Sequence, residues 1–319
     1  MYRRSRLAGI LGCAATLAMV GCAANSGVTP SSGLTTQQQA QSMVPSGPGW
    51  KYEGGVLFHV PHYMATRSAA RQQFTPAITL NYGGGPVLVH PKAYLIVWGF
   101  KTYGDPDGVE ALLKTYSRVM GGSGHNRIYT QYSEKVGSKT IFIKDGLKQL
   151  GGVWEDSTNP VPSNPTDAQV AAEALAGVAH FGYNANGSYV VATPTGHSSS
   201  GFGTQWCAYH SATMSGGKLV SYTNLPYMPD AGGNCGASII TPPSDETATD
   251  EGVTIVEGHE WGESVTDPNP PTGWYNFSQG EIGDICAWQN IQNDPFRTNS
   301  YTMQPMFSNK TQTCVHTYP

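Results

Sequence analysis

Residues 257–267 read Glu257-Gly258-His259-Glu260-Trp261-Gly262-Glu263-Ser264-Val265-Thr266-Asp267, and the reading of this stretch decides the fold. On an α-helix a step of four residues turns the side chain by only roughly 40°, so His259, Glu263 and Asp267 fall near one face. Hydrolytic zinc helices commonly place two His at this spacing, with a Glu directly after the first acting as general base. His259 and Glu260 match that pattern, and Glu263 stands where the second His would be. Carboxylates are legitimate zinc ligands. An anionic ligand in place of a neutral one lowers the site's positive charge, weakens the ion as a Lewis acid and admits harder ions. Zinc is the expected cofactor, with calcium as the alternative.

A further ligand must come from outside this helix. Gly280-Glu281-Ile282-Gly283-Asp284-Ile285-Cys286 supplies Glu281 and Asp284 beside a cysteine that can hold the loop still. His210, in Cys207-Ala208-Tyr209-His210-Ser211, is another candidate, although a single His beside a disulfide reads first as a structural residue. Asp267, just before Pro268, is a candidate whose direction the sequence does not fix. In the bland alternative, His259 is a hydrogen-bonded core residue and the acids cap neighbouring turns. Trp261, Trp274, Tyr275 and Trp288 read mainly as core aromatics.

The chain begins with Arg3, Arg4 and Arg6, then an apolar run over residues 7–20 that is short for a membrane span. Met19-Val20-Gly21-Cys22 is similar to a bacterial lipoprotein cleavage box, so residues 1–21 are expected to be a signal peptide and Cys22 a lipidation site. Residues 22–50 are rich in Gln, Ser, Gly, Pro and Thr and are expected to be a disordered tether. Residues 51–319 are expected to form one secreted domain, with the metal site within 203–319. Of 6 cysteines, Cys13 and Cys22 belong to the leader. The remaining Cys207, Cys235, Cys286 and Cys314 predict two disulfides, with the local pairing Cys207–Cys235 and Cys286–Cys314 preferred among three connectivities. The formal net charge is -4, and the three leader arginines carry no compensating acid. No basic stripe is present, which argues against nucleic acid as a partner.

The elements expected from local pattern are strands at 87–89 and 93–99, and a helix over 105–120 with Asp105 as N-cap and Pro106 in its first turn. Gly121-Gly122 ends that helix. A short strand at 140–143, a helix at 166–181 and strands at 188–193 and 218–222 follow. The His-Glu helix spans 247–265 and stops before Pro268 and the Pro270-Pro271 pair. This order predicts an α/β (α+β) layer fold, a zincin-like mixed sheet with packed helices and a turn-rich, disulfide-linked C-terminal region. No nucleophile elbow, phosphate-binding loop or dinucleotide fingerprint is present.

Three stretches together resemble the phosphate-induced, or exordium-like, family of secreted proteins. They are Asn81-Tyr-Gly-Gly-Gly-Pro-Val-Leu88 with Tyr94-Leu-Ile-Val-Trp-Gly99, then Tyr189-Val-Val-Ala-Thr-Pro194 with Cys207-Ala-Tyr-His-Ser211, then residues 257–268 with Gly273-Trp-Tyr275 and 281–286. The resemblance implies a secreted, cell-envelope-associated protein and no settled enzymatic activity. Glu263 and Asp267 depart from that pattern, which favours a retained metal site. The sequence thus carries two expectations. The first is a secreted or lipid-anchored, metal-dependent, peptidase-like hydrolase acting on a peptide or protein, with His259, Glu263, Asp284 and Glu281 as ligands and Glu260 as base. The second is a non-catalytic exordium-like protein that binds envelope glycan or protein. Either would be extracytoplasmic, an outer-membrane lipoprotein or secreted, touching membrane only through an N-terminal lipid.

Overall fold

Lys92-Ala-Tyr-Leu-Ile-Val-Trp98 carries apolar side chains on both faces, as a strand covered from both sides must. Leu95 and Val97 join a core with Val253, Ile255 and Val256, whereas Ile96 and Trp98 join another with Ala171, Ala174 and Val178. The computed structural model describes residues 49–70, 78–240 and 245–318. The expected signal peptide, Cys22 and the expected tether up to residue 48 lie outside these residues. Trp50, the last residue assigned to the tether, already belongs to a strand.

The main sheet has eight strands: β1 (Trp50–Glu53), β2 (Val56–His59), β3 (His62–Ala65), β4 (Lys92–Trp98), β5 (Leu150–Asp156), β6 (Gly187–Ala192), β7 (Trp206–Ser215) and β8 (Lys218–Leu225). Their order is β1-β2-β7-β8-β6-β4-β5, and β3 also pairs with β7. The β8-β6-β4-β5 half is parallel and the rest antiparallel. The fold is therefore α+β with a mixed sheet, as expected. The sequence reading lacked β1–β3, β5 and β7. Strand β7 is buried on both faces over its first eight residues, so its sequence shows no alternation to read.

Helix α1 (Val109–Val119), helix α2 (Asp167–Phe181) and helix α3 (Glu251–Thr266) pack on the sheet. Asp105 caps α1, but not as its N-cap residue. Gly108 takes that place, in the left-handed conformation that glycine favours, at φ 79°. Asp105 reaches forward instead, accepting from Val109 N at 2.8 Å and Glu110 N at 3.0 Å. Thr166 closes a capping box with Gln169 at the start of α2. The expected strand at 87–89 is not formed. Its donors go singly to other partners, Val87 N to Glu134 Oε2 at 3.1 Å and Leu88 N to the Val265 carbonyl at 2.9 Å.

All of α3 is buried, which an ordinary polar-laden helix could not tolerate. Small positions make it fit: a Cβ on Gly252 would lie 2.0 Å from the Cys235 carbonyl oxygen, and one on Gly258 would lie 2.3 Å from Met303 Cε. Each glycine weakens the helix by about 1 kcal/mol relative to alanine, offset here by close packing. The C-terminal region is built from short hairpins, Gln292–Phe296 with Asn299–Met303 and Met306–Ser308 with Thr313–Val315. Disulfides Cys207–Cys235 and Cys286–Cys314 form with Cα–Cα distances of 5.6 and 5.7 Å, the local pairing expected. Two such bonds fit an oxidising, extracytoplasmic compartment. Among the described residues no helix is long and apolar enough to cross a membrane.

Candidate metal centre

Three residues of α3 fix the first edge of the site. His259 Nε2 lies 3.0 Å from Glu263 Oε1, the one-turn contact that the spacing predicts. Glu260, one residue on, is turned by about 100° toward the sheet, where its Oε2 sits 3.3 Å from His210 Nδ1. The same nitrogen lies 3.4 Å from Glu263 Oε2. His210, read first as a structural residue from its neighbouring disulfide, thus lies within the same cluster.

The opposite edge comes from the C-terminal loop. Asp284 opens a short 3-10 turn, Asp284–Cys286, whose last residue is disulfide-bonded to Cys314. Asp284 N donates to Glu263 Oε1 at 3.1 Å, and Glu281 N donates to Asp284 Oδ2 at 3.1 Å. Asp284 Oδ1 is 3.7 Å from His259 Nε2, and Glu281 Oε2 is 3.5 Å from His210 Nε2. Glycine is required for this approach. A Cβ at Gly283 would stand 2.8 Å from His259 Nδ1 and 2.9 Å from Glu263 Oε1.

Sequence reasoning missed His62. It is the register partner of His210 across β3 and β7. Met64 and Ala208 belong to the core under α3, so the period of two puts both imidazoles on that same face. His62 Nε2 lies 2.7 Å from Asp284 Oδ2 and 3.3 Å from Glu281 Oε2. No short motif marks this residue; only the strand pairing reveals it.

Three His and four carboxylates therefore converge. Among the described residues, three groups have ligand atoms within 4.8 Å of one another: His62 with Glu263 and Glu281, His210 with Glu260 and Glu263, and His259 with Glu263 and Asp284. Each holds one His, and each includes Glu263. Asp267 is not in these groups. Its Oδ1 accepts from Gly273 N at 2.7 Å, fixing the turn after α3, and burial raises its carboxyl to about 6.

The electrostatics is one-sided. Burial opposes the imidazolium at His62, but Glu281 and Asp284 outweigh it and raise that group to about 10. Burial is likewise overcome at His259, where Glu263 leads the rise to about 9. Burial raises Glu260, and raises Glu281 to about 8. Glu263 resists burial because His259 and His210 face it, and its carboxyl lies well below the usual range. Several buried polar atoms have no hydrogen-bond partner: His210 Nε2, both His259 nitrogens, Glu260 Oε1, Glu263 Oε2 and both Glu281 oxygens. A divalent cation would engage a subset of them, and imidazole nitrogen with carboxylate oxygen is a zinc-type donor set.

The site reaches solvent at one corner. Side chains of His259, His210, Glu260, Glu263 and Glu281 are fully buried, while His62 and Asp284 are 22% and 17% exposed. The Tyr275 ring stands 5.7 Å from His62, and Phe277, 87% exposed, packs 5.3 Å from Tyr275. Trp288 and Trp274 serve as scaffold, donating to the carbonyls of Ala65 and Ser133. Comparison of the whole chain with known proteins matched no family model, no curated protein and no solved structure.

Proposed function

We propose that this protein is a secreted metal-dependent hydrolase, of peptidase type, with His259, Glu263 and Asp284 holding a divalent cation and Glu260 as general base. The observation that carries this reading is the set of buried atoms without a hydrogen-bond partner on two imidazoles and three glutamates gathered around one helix. An imidazole among the donors favours zinc over calcium, which prefers all-oxygen surroundings. When bound, such a cation supplies Lewis acidity and brings the pKa of a water toward about 7. Glu260 is suited to take the proton. Its Oε2 is engaged by His210 while Oε1 is free, and burial raises its carboxyl above the ordinary value. His62 and Asp284 line the entrance, and Tyr275 with Phe277 gives an arriving peptide an aromatic ledge.

Glu260→Gln keeps the shape of the side chain and removes the base. Turnover of a peptide library should fall by at least about 100-fold, with bound zinc unchanged. Unaltered turnover, or loss of the metal, would sink the assignment.

One observation favours a second reading: only a corner of the site reaches solvent. In that case the ion is structural, and the protein is an exordium-like, lipid-anchored or secreted binding protein for envelope glycan or protein. Glu260→Gln would then alter stability alone.

A further inference from the structure

We infer that the centre holds two divalent cations rather than one, with Asp284 as the carboxylate between them. This rests on the reading of the site as a metal centre and adds a second position to it.

Adjacent ligands on one cation with arms of 2.0–2.2 Å lie about 3–3.6 Å apart. The contacts fall into two sets of 2.7–3.7 Å, close to this spacing. In one, His259 Nε2 lies 3.0 Å from Glu263 Oε1 and 3.7 Å from Asp284 Oδ1. In the other, His62 Nε2 lies 2.7 Å from Asp284 Oδ2 and 3.3 Å from Glu281 Oε2, and Glu281 Oε2 lies 3.5 Å from His210 Nε2. Asp284 gives one oxygen to each set. The three His divide among three ligand groups rather than sharing one, so a single cation leaves imidazoles unused.

The second position has its own unpartnered donors. His210 Nε2 and both Glu281 oxygens are buried without a hydrogen-bond partner. His210 Nδ1 faces the Glu260 carboxylate at 3.3 Å. A proton on Nδ1 leaves the Nε2 lone pair free for a cation, the usual carboxylate–histidine–metal arrangement. Loop 280–286 and strands β3 and β7 thus bring His62, His210, Glu281 and Asp284, far apart in sequence, into pairwise contact as ligands for the second position. Two adjacent cations clamping one substrate oxygen pair are a recurrent hydrolytic arrangement.

The test is metal content of the full-length protein, stripped by chelator and then saturated with Zn²⁺ or Mn²⁺. Two equivalents of zinc are expected, with Mn²⁺ giving a spin-coupled electron paramagnetic resonance signal. His62→Ala, at a partly exposed position, and the isosteric Glu281→Gln should each retain one equivalent and lose the coupling. One equivalent in the unaltered protein would overturn the second position while leaving the proposed function standing. No metal at all would overturn both. Two equivalents without coupling, or two retained in His62→Ala, would place the extra ion elsewhere and overturn the shared centre.

Discussion

His62 on β3 and His210 on β7 are register partners whose rings lie 5.8 Å apart, and both face the loop that carries Glu281 and Asp284. An N-terminal strand and a C-terminal loop are thereby joined through one cluster of charge. Anything that binds the folded cluster and not the unfolded chain stabilises the fold by mass action, about 4 kcal/mol at a thousandfold excess over Kd. Zinc should therefore raise the thermal midpoint of the chelator-stripped protein by several degrees. His62→Ala should shrink that rise, and calcium at the same concentration should give little of it. Differential scanning calorimetry decides this, and equal shifts with zinc and calcium would contradict the imidazole argument.

Gly283 faces His259 and Glu263 at a distance that leaves no room for a methyl group. Gly283→Ala should push the loop away from α3, and the affected contact is the one between Asp284 and Glu263. Zinc affinity is expected to fall by about 10–100-fold, the usual cost of disturbing groups that orient ligands, with the circular dichroism spectrum retained. Competition against a zinc-chelating dye measures it; unchanged affinity would mean that the loop does not set the site.

Much of the site was legible because helical spacing is local. His259, Glu260 and Glu263 follow from period and position within one helix, and Glu281 with Asp284 follows from carboxylates beside a cysteine. The paired cysteines were legible from their number. His62 was not, since nothing near it in sequence carries its meaning, and His210 looked structural until β7 placed it opposite Glu260. Strand β7 itself escaped because burial on both faces erases the alternation that a one-sided strand shows. Asp267 stepped by four as a ligand should, yet α3 ends one residue earlier and its carboxylate turns back to Gly273. Residues 87–89 looked like a strand from their composition, but tertiary partners took their donors.

Glu173 gives a prediction away from the metal. It is 3% exposed, on α2, and burial followed by the nearby Asp156 carboxylate raises it to about 8. The folded protein thus holds a proton that the unfolded chain releases once the pH passes the ordinary carboxylate value. Stability contributed by that proton is present at low pH and is lost as the pH rises from about 4.5 to about 8. Glu173→Gln removes the titration. The variant should be more stable than the unaltered protein at pH 8, by on the order of 1–3 kcal/mol, and should converge with it near pH 5. Urea unfolding at both pH values would show this; a constant difference between the two proteins would refute it.

Among the described residues, Phe277 is the large apolar side chain most open to solvent, next to Tyr275 at the entrance. Phe277→Ala removes no core contact and should leave the unfolding midpoint unchanged within about 0.5 kcal/mol. If the ledge receives a peptide, KM should rise several-fold for substrates with a large apolar residue near the scissile bond, with kcat retained. An unchanged KM across such substrates would remove Phe277 from the binding surface.

The two disulfides provide an internal control for how the site is held. Both close loops with a sequence separation of 28, so chain entropy assigns each about the same stabilisation, about 3.5 kcal/mol. They differ in what they hold. Cys207–Cys235 ties the start of β7 to the Met228–Cys235 turn, whereas Cys286–Cys314 anchors the loop bearing Glu281 and Asp284. Replacing either pair by alanines should lower stability by similar amounts. Zinc affinity should fall far more for the Cys286/Cys314 pair, because that loop supplies two ligands and loses its fixed position. Isothermal titration of both variants, under conditions where each remains folded, compares them directly. Equal losses of affinity would mean that the metal responds to global stability and that the loop's anchorage contributes nothing of its own.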